Sequence, residues 1–294
     1  MTSPSRIEEI LRRYQCASVV DPLMGVPTHL QYLKRHGFEV HGGDLVDWFV
    51  RAGQGIVLND LTILRDCDIA QVVETVPGHV YAVERFKAWE GVFFTEEQCA
   101  YLATWHDNVH NLRSDGQTGL AILGLWNVLC YWLQKAQYPD DMPDIPPNEL
   151  AWTYTSKMSE WVGPNGRQNT VRRSDVLETI AANEADALFM VLPEIHALRT
   201  ADARLWMWEA WWQGNAYHTL DDTYRKSLFG RVQDEAQYDA AIARLLSGAA
   251  DYRVVIFQSS VDRFARLEPV LRNARRSLET VTPNASEAYL VAIA

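Results

Sequence analysis

The sequence predicts an α/β protein: an open, doubly wound sheet with a terminal β-hairpin and a helical insertion. Three observations predict it. The N-terminal stretch alternates strand, turn, helix and strand. A long middle stretch reads as helix and loop only. Strand and helix then alternate again, and the chain finishes in two adjacent strands.

Residues 5–14 read as a short amphipathic helix, followed by a strand at 17–20 that ends at Asp21-Pro22. A helix at 28–36 puts Leu30 and Leu33 on one face, and Gly37 stops it. A second strand, 38–41, runs out at Gly42-Gly43-Asp44-Leu45 and completes a βαβ unit. In Phe93-Phe94-Thr95-Glu96-Glu97-Gln98, Thr95 stands three residues before Gln98, the spacing of a capping box. The helix it opens is expected to reach about residue 112, and 120–135 reads as a buried helix because it is apolar nearly all round. Residues 138–147 are rich in Pro and Asp and read as a loop, with irregular chain expected past Gly163-Pro164-Asn165-Gly166.

The α/β pattern resumes with a strand at 170–172, a helix at 175–183 and a strand at 187–192. Residues 204–212 form a helix carrying Trp206, Trp208, Trp211 and Trp212. The strand at 253–258 has Val254, Val255 and Ile256 in succession, as buried parallel strands do. A helix at 262–275 precedes strands 277–281 and 287–293, which flank the turn Thr282-Pro283-Asn284-Ala285. The expected division is an α/β domain of residues 1–61 and 168–294, with a mostly helical insertion at 62–167.

Composition narrows the function. The chain has 294 residues, 48% of them hydrophobic, which suffices for a sizeable core. Its formal net charge of -11 excludes binding a polyanion through the overall field. A DNA partner would need a local basic face. The candidates are Arg167, Arg172 and Arg173, and the C-terminal helix with Arg263, Arg266, Arg272, Arg275 and Arg276; solvated faces are the plainer reading. The four cysteines, Cys16, Cys67, Cys99 and Cys130, lack C-x-x-C spacing and read as reduced apolar residues. The longest apolar run, 120–133, contains Asn127 and falls short of a membrane span, so no membrane partner is expected. Arg6, Glu8, Glu9, Arg12 and Arg13 leave no apolar signal core, and a cytoplasmic location is expected.

In a doubly wound sheet, ligands bind at the C-terminal strand ends beside the first βα turn, here Asp21-Pro22-Leu23-Met24-Gly25-Val26-Pro27-Thr28. Asp44 closes the second strand about 20 residues beyond Gly25, where an acidic residue can accept hydrogen bonds from a ribose. A lone Gly and a later Asp also fit a turn that binds nothing.

These residues resemble a family. Val19-Val20-Asp21-Pro22-Leu23-Met24-Gly25, with Leu33-Lys34-Arg35-His36-Gly37-Phe38-Glu39-Val40-His41-Gly42-Gly43-Asp44, is similar to the S-adenosylmethionine motif of Dam-like adenine-specific DNA methyltransferases. Their usual form is D-P-F-x-G-x-G, then L-K-x-x-G-y-x-V-x-x-N-D. Phe93-Phe94-Thr95-Glu96-Glu97-Gln98 resembles the family's Y-F-T-x-E-N, and Ser174-Asp175-Val176-Leu177-Glu178 its acidic residue ahead of the catalytic strand. Asp186-Ala187-Leu188-Phe189-Met190-Val191-Leu192-Pro193-Glu194 aligns with D-x-V-Y-x-D-P-P-Y. The resemblance spans nearly the whole chain in order and implies a methyltransferase-type, Rossmann-like doubly wound sheet with that terminal hairpin. It implies that Asp21 and Gly25 line the methionine end of S-adenosylmethionine, that Asp44 meets the ribose and that Asp175 lies near the adenine. Helix caps at Asp21 and Asp175, and a solvated Asp44, are the plainer alternatives.

The departures point away from catalysis. Pro27 replaces the second Gly of the turn and has no N–H to offer, and Gly43 replaces the usual Asn, so cofactor binding is expected to be weakened or lost. The family's Asp and a loop carbonyl accept the protons of the target amine, and its Tyr stacks on the flipped base. Val191, Leu192, Pro193 and Glu194 stand there instead, and no catalytic residue is intact. The expectation is a pseudoenzyme acting as a non-catalytic partner or regulatory protein. The alternatives are an active adenine methyltransferase with an altered loop, or a module that binds a nucleoside-like ligand.

Other groupings carry less. His106 and His110 are four apart on a helix but lack a third metal ligand, so they read as surface histidines. His196 and His218 read as structural, and the Trp cluster reads as core or interface before it reads as a base-stacking platform.

Overall fold

The sheet is built from strands whose burial is nearly continuous, as the runs of Val, Leu, Ile and Phe require. In this computed structural model the chain is described at residues 4–193, 203–218, 227–230, 232–274, 277–284 and 287–293. Two compact units emerge: Met1–Val50, Pro164–Asp202 and Leu220–Ala294 form an α/β unit, and Arg51–Gly163 with Ala203–Thr219 form a helical one.

In the α/β unit, β1 (Ser18–Asp21), β2 (Glu39–Asp44), β3 (Thr170–Arg173), β4 (Ala187–Val191), β5 (Val254–Ser259), β6 (Ser277–Asn284) and β7 (Glu287–Ile293) form one seven-stranded sheet. Its order is β3-β2-β1-β4-β5-β7-β6. The first five strands in that order run parallel, and β7 is antiparallel to both of its neighbours, β5 and β6. The architecture is therefore a mostly parallel, Rossmann-like α/β sheet. Val19, Val20, Leu188, Phe189, Val255 and Ile256 are fully buried, and each contributes about 1.5–3 kcal/mol relative to exposure. Helix α1 (Pro4–Arg13) buries Ile7, Ile10 and Leu11 on one face. Helix α2 (Thr28–Arg35) buries Leu30 and Leu33 and ends before Gly37, whose φ of 89° is the left-handed conformation that stops a helix.

Strand β2 is longer than expected, because Gly42, Gly43 and Asp44 remain in the ladder opposite Val171, Arg172 and Arg173. A Cβ on Gly42 would lie 2.5 Å from the Met24 sulfur, and one on Gly43 would lie 2.0 Å from the Thr179 hydroxyl. Side chains from both sides thus fill the space those glycines leave.

The helical unit holds α3 (Asp47–Gly53), within which the unit boundary falls, followed by a π-helical turn, Gln54–Leu58. Then come α4 (Asp66–Val73), α5 (Glu96–His110), α6 (Asp115–Gln137) and α7 (Pro147–Met158). Thr95 caps α5 in the expected box: its hydroxyl accepts from the Gln98 N–H at 3.2 Å, and Gln98 Oε1 accepts from the Thr95 N–H at 2.9 Å. Helix α7 corrects the expectation of irregular chain beyond residue 147. Pro146 and Pro147 start that helix, because a proline at the first position sacrifices only an amide that has no partner there. Helix α9 (Ala203–Trp212) belongs to this unit, where the sequence placed residues 204–212 in the α/β part. Its Trp211 Nε1 donates to Leu102 O on α5 at 3.0 Å, and Trp208, Trp211 and Trp212 are buried. The α/β unit also holds α8 (Val176–Ala181), α10 (Glu235–Gly248) and α11 (Val261–Asn273). Among the described residues no helix is long and apolar enough to cross a membrane.

Backbone meets backbone where α6 crosses the π-helical turn. A Cβ on Gly119 would lie 2.3 Å from Arg51 O and 2.5 Å from Gly55 N. No rotamer change relieves such a clash, so Gly119→Ala is expected to cost at least about 2 kcal/mol in urea unfolding followed by Trp fluorescence. Gly163→Ala, which meets open space, is the control and should stay within about 0.5 kcal/mol of wild type.

Candidate functional site

The first βα turn is folded by its own polar groups. Asp21, buried at the end of β1, accepts the Leu23 N–H at 3.2 Å through Oδ1, an Asx-type turn. The Met24 N–H donates to Gly43 O at 3.1 Å and ties the turn to β2. Gly25 follows with φ 52°, a left-handed conformation that favours glycine, and nothing stands where its Cβ would be. Its N–H turns towards Asp44, donating to Oδ2 at 3.1 Å, while Oδ1 accepts the Val46 N–H at 2.9 Å. Asp44 is 5% exposed.

Asp44 also joins the next segment through its main chain. The Ser174 N–H donates to Asp44 O at 3.1 Å, and the Ser174 and Thr179 hydroxyls are 2.7 Å apart. Thr179 donates to Asp175 O at 3.0 Å. Asp175 stands at the start of α8, where its N–H donates to the Glu178 carboxylate at 3.2 Å and its Oδ1 accepts the Leu228 N–H at 3.1 Å. Asp21, Gly25 and Asp44 thus meet at the C-terminal ends of β1 and β2, and Asp175 adjoins them through Ser174. Nothing in the sequence flags Leu228, whose amide reaches Asp175 across 53 residues, or the close approach of Thr179 to Gly43.

At the end of β4, Val191 pairs with Gln258 of β5, and the Leu192 N–H donates to Gln258 O at 2.9 Å. Val191 is 38% exposed and Leu192 is buried. Neither side chain can accept a proton, and Glu194 lies outside the described residues, as does His196. His29, in the first turn of α2, has its ring centroid 5.7 Å from that of Phe189 on β4, and burial pushes its pKa down, leaving a neutral imidazole at pH 7.

The groups assigned to S-adenosylmethionine by resemblance are engaged within the protein. Asp44 holds two amides of its own loops, the Gly25 N–H points at Asp44, Pro27 has no N–H, and Asp175 pins Leu228. A Cβ at Gly25 would meet nothing within 4 Å.

The helical unit contains a second polar cluster. Asp107 accepts from Arg85, from His106 Nδ1 at 3.0 Å and from His79 Nε2 at 3.3 Å. Burial pushes the Asp107 carboxyl up, but these three hydrogen bonds outweigh it and hold it below its ordinary value. His106 is buried, which corrects its reading as a surface histidine, and burial lowers its pKa. His110 is exposed and stacks on Trp212 at 4.3 Å. Among the described residues no group of three His, Cys, Asp or Glu could hold a metal ion. No sequence signal pointed to Asp107, Arg85 or His79.

The described basic candidates lie in two separate places. Arg172 and Arg173 lie on β3 at one sheet edge, and α11 leads into β6 at the other. Six strand spacings separate those edges, roughly 29 Å. Arg272 is paired with Glu268, and Arg263 lies 4.7 Å over the Tyr238 ring. Arg275 and Arg276 lie outside the described residues. No protein-family model and no curated protein matches the chain.

Burial pushes the Asp21 carboxyl up to about 7; the Leu23 N–H opposes this and the Asp44 charge adds to it. The folded protein therefore holds a proton that the unfolded chain loses near 3.8, so stability falls as pH rises between those values and stays lowered above about 7. Asn at position 21 keeps the acceptor for Leu23 without the charge. Asp21→Asn is expected to raise Tm at pH 8 by about 5 °C and to flatten the pH 5–8 dependence. An unchanged profile in thermal unfolding would show that Asp21 ionises at no cost.

Proposed function

We propose that this chain is a methyltransferase-type protein that transfers no methyl group and serves as a binding partner of another protein. The observation that carries the reading is the apolar end of β4. Methyl transfer to an amine needs an acceptor held against the nitrogen, and Val191 and Leu192 supply none. Support for the methyltransferase type comes from the sheet order β3-β2-β1-β4-β5-β7-β6, in which the terminal hairpin inserts its last strand beside β5. Support for a protein partner comes from large apolar side chains exposed on the helical unit, with Leu61 82%, Val80 89% and Val92 68% exposed. A DNA role has less behind it, because the net charge is -11 and the arginines are divided between two sheet edges.

The test is incubation of the purified protein with methyl-labelled S-adenosylmethionine and unmethylated DNA. No label should enter adenine above the level of a protein-free control. Incorporation that follows the protein through purification and disappears with Asp21→Asn would contradict the reading and favour an active enzyme with an altered loop.

A further inference from the structure

We infer that Asp44 is an internal ligand that closes the first βα turn, so that the position where a ribose acceptor is expected is a structural latch. The inference deepens the non-catalytic reading and stands on the geometry of the same turn.

Four features converge. The two carboxylate oxygens are divided between two loops: Oδ2 takes the Gly25 N–H at 3.1 Å, and Oδ1 takes the Val46 N–H at 2.9 Å. An ionised acceptor on backbone amides makes strong, directional hydrogen bonds, and at 5% exposure water competes little for them. The Gly25 amide, which could otherwise face a ligand, is turned inward by this bond. The neighbouring side chains are fitted to the same closed form. The Met24 sulfur and Leu30 occupy the space over Gly42, and the Thr179 side chain occupies the space over Gly43. A residue with a Cβ at position 43, such as the family's Asn, would collide with Thr179 at 2.0 Å. Gly43 and Thr179 thus form a matched pair that keeps β2 in register up to Asp44.

A carboxylate kept for a hydroxyl-bearing ligand would leave its acceptor lone pairs facing an opening, and its removal would cost affinity with little cost in stability. A latch behaves in the opposite way. The experiment pairs thermal unfolding with calorimetric titration, using wild type, Asp44→Ala and Asp44→Asn with S-adenosylmethionine as the probe. Asp44→Ala is expected to lower Tm by roughly 8 °C. Asp44→Asn keeps one acceptor oxygen but presents an amide group to the second N–H, so it should fall between the two. Wild type should show no binding heat up to about millimolar cofactor. If Asp44→Ala does not fold, the Asn variant carries the stability comparison. An unchanged Tm in both variants overturns the latch. Micromolar binding by wild type also overturns it, because the turn then opens to ligand. That result without methyl transfer would leave the non-catalytic reading standing; methyl transfer would end both.

Discussion

The carboxylate of Asp44 is the constraint on which the α/β unit turns. It ends the second strand of a parallel sheet, where consecutive strands are joined only through crossovers and their ends must be held by something else. Here one side chain holds the amide that begins the bend into α2 and the amide that begins the bend after β2. Its main-chain oxygen holds Ser174 at the end of β3. Three strand ends are thus brought into one hydrogen-bonded knot around a buried negative charge. Asp21 beside it is also buried, and burial pushes its carboxyl up to about 7, with the Asp44 charge adding to the rise.

That knot accounts for the peculiarities of the local sequence. Tandem glycines in a strand ordinarily weaken it. At positions 42 and 43 they are required, because Met24, Leu30 and Thr179 fill the room side chains would need. Pro27 is tolerated because the turn uses the amides of Leu23, Met24, Gly25 and Thr28 and needs none at that position. What looks like decay of a cofactor motif is a coherent set of contacts in the folded protein.

Much of the fold was legible because it rests on local signals. Alternation of strand and helix, the left-handed Gly37, the Thr95–Gln98 box and the terminal hairpin each depend on residues close in sequence. The misses have separate causes. Helix α7 starts from Pro146-Pro147, a pair that reads as loop until the helix after it is counted. Helices α4 and α10 bury Ile69, Val72 and Val73, and Tyr238, Ala241, Ile242, Leu245 and Leu246, at helical spacing, but the sequence reading left both unassigned. The membership of α9 in the helical unit depends on Trp211 reaching Leu102, 109 residues away. At the candidate site, the positions of Asp21, Gly25 and Asp44 followed from the βα pattern. The direction in which Asp44 points did not, because it depends on the path of the backbone through Gly25 and Val46.

The most direct measurement is amide hydrogen exchange at Gly25 and Val46, compared between wild type and Asp44→Ala. The latch predicts that both amides are protected in wild type and exchange much faster in the variant, while the central amides of β1 and β4 keep their protection. Rapid exchange of Gly25 in wild type, or protection unchanged by the substitution, would contradict the central claim that Asp44 holds the turn.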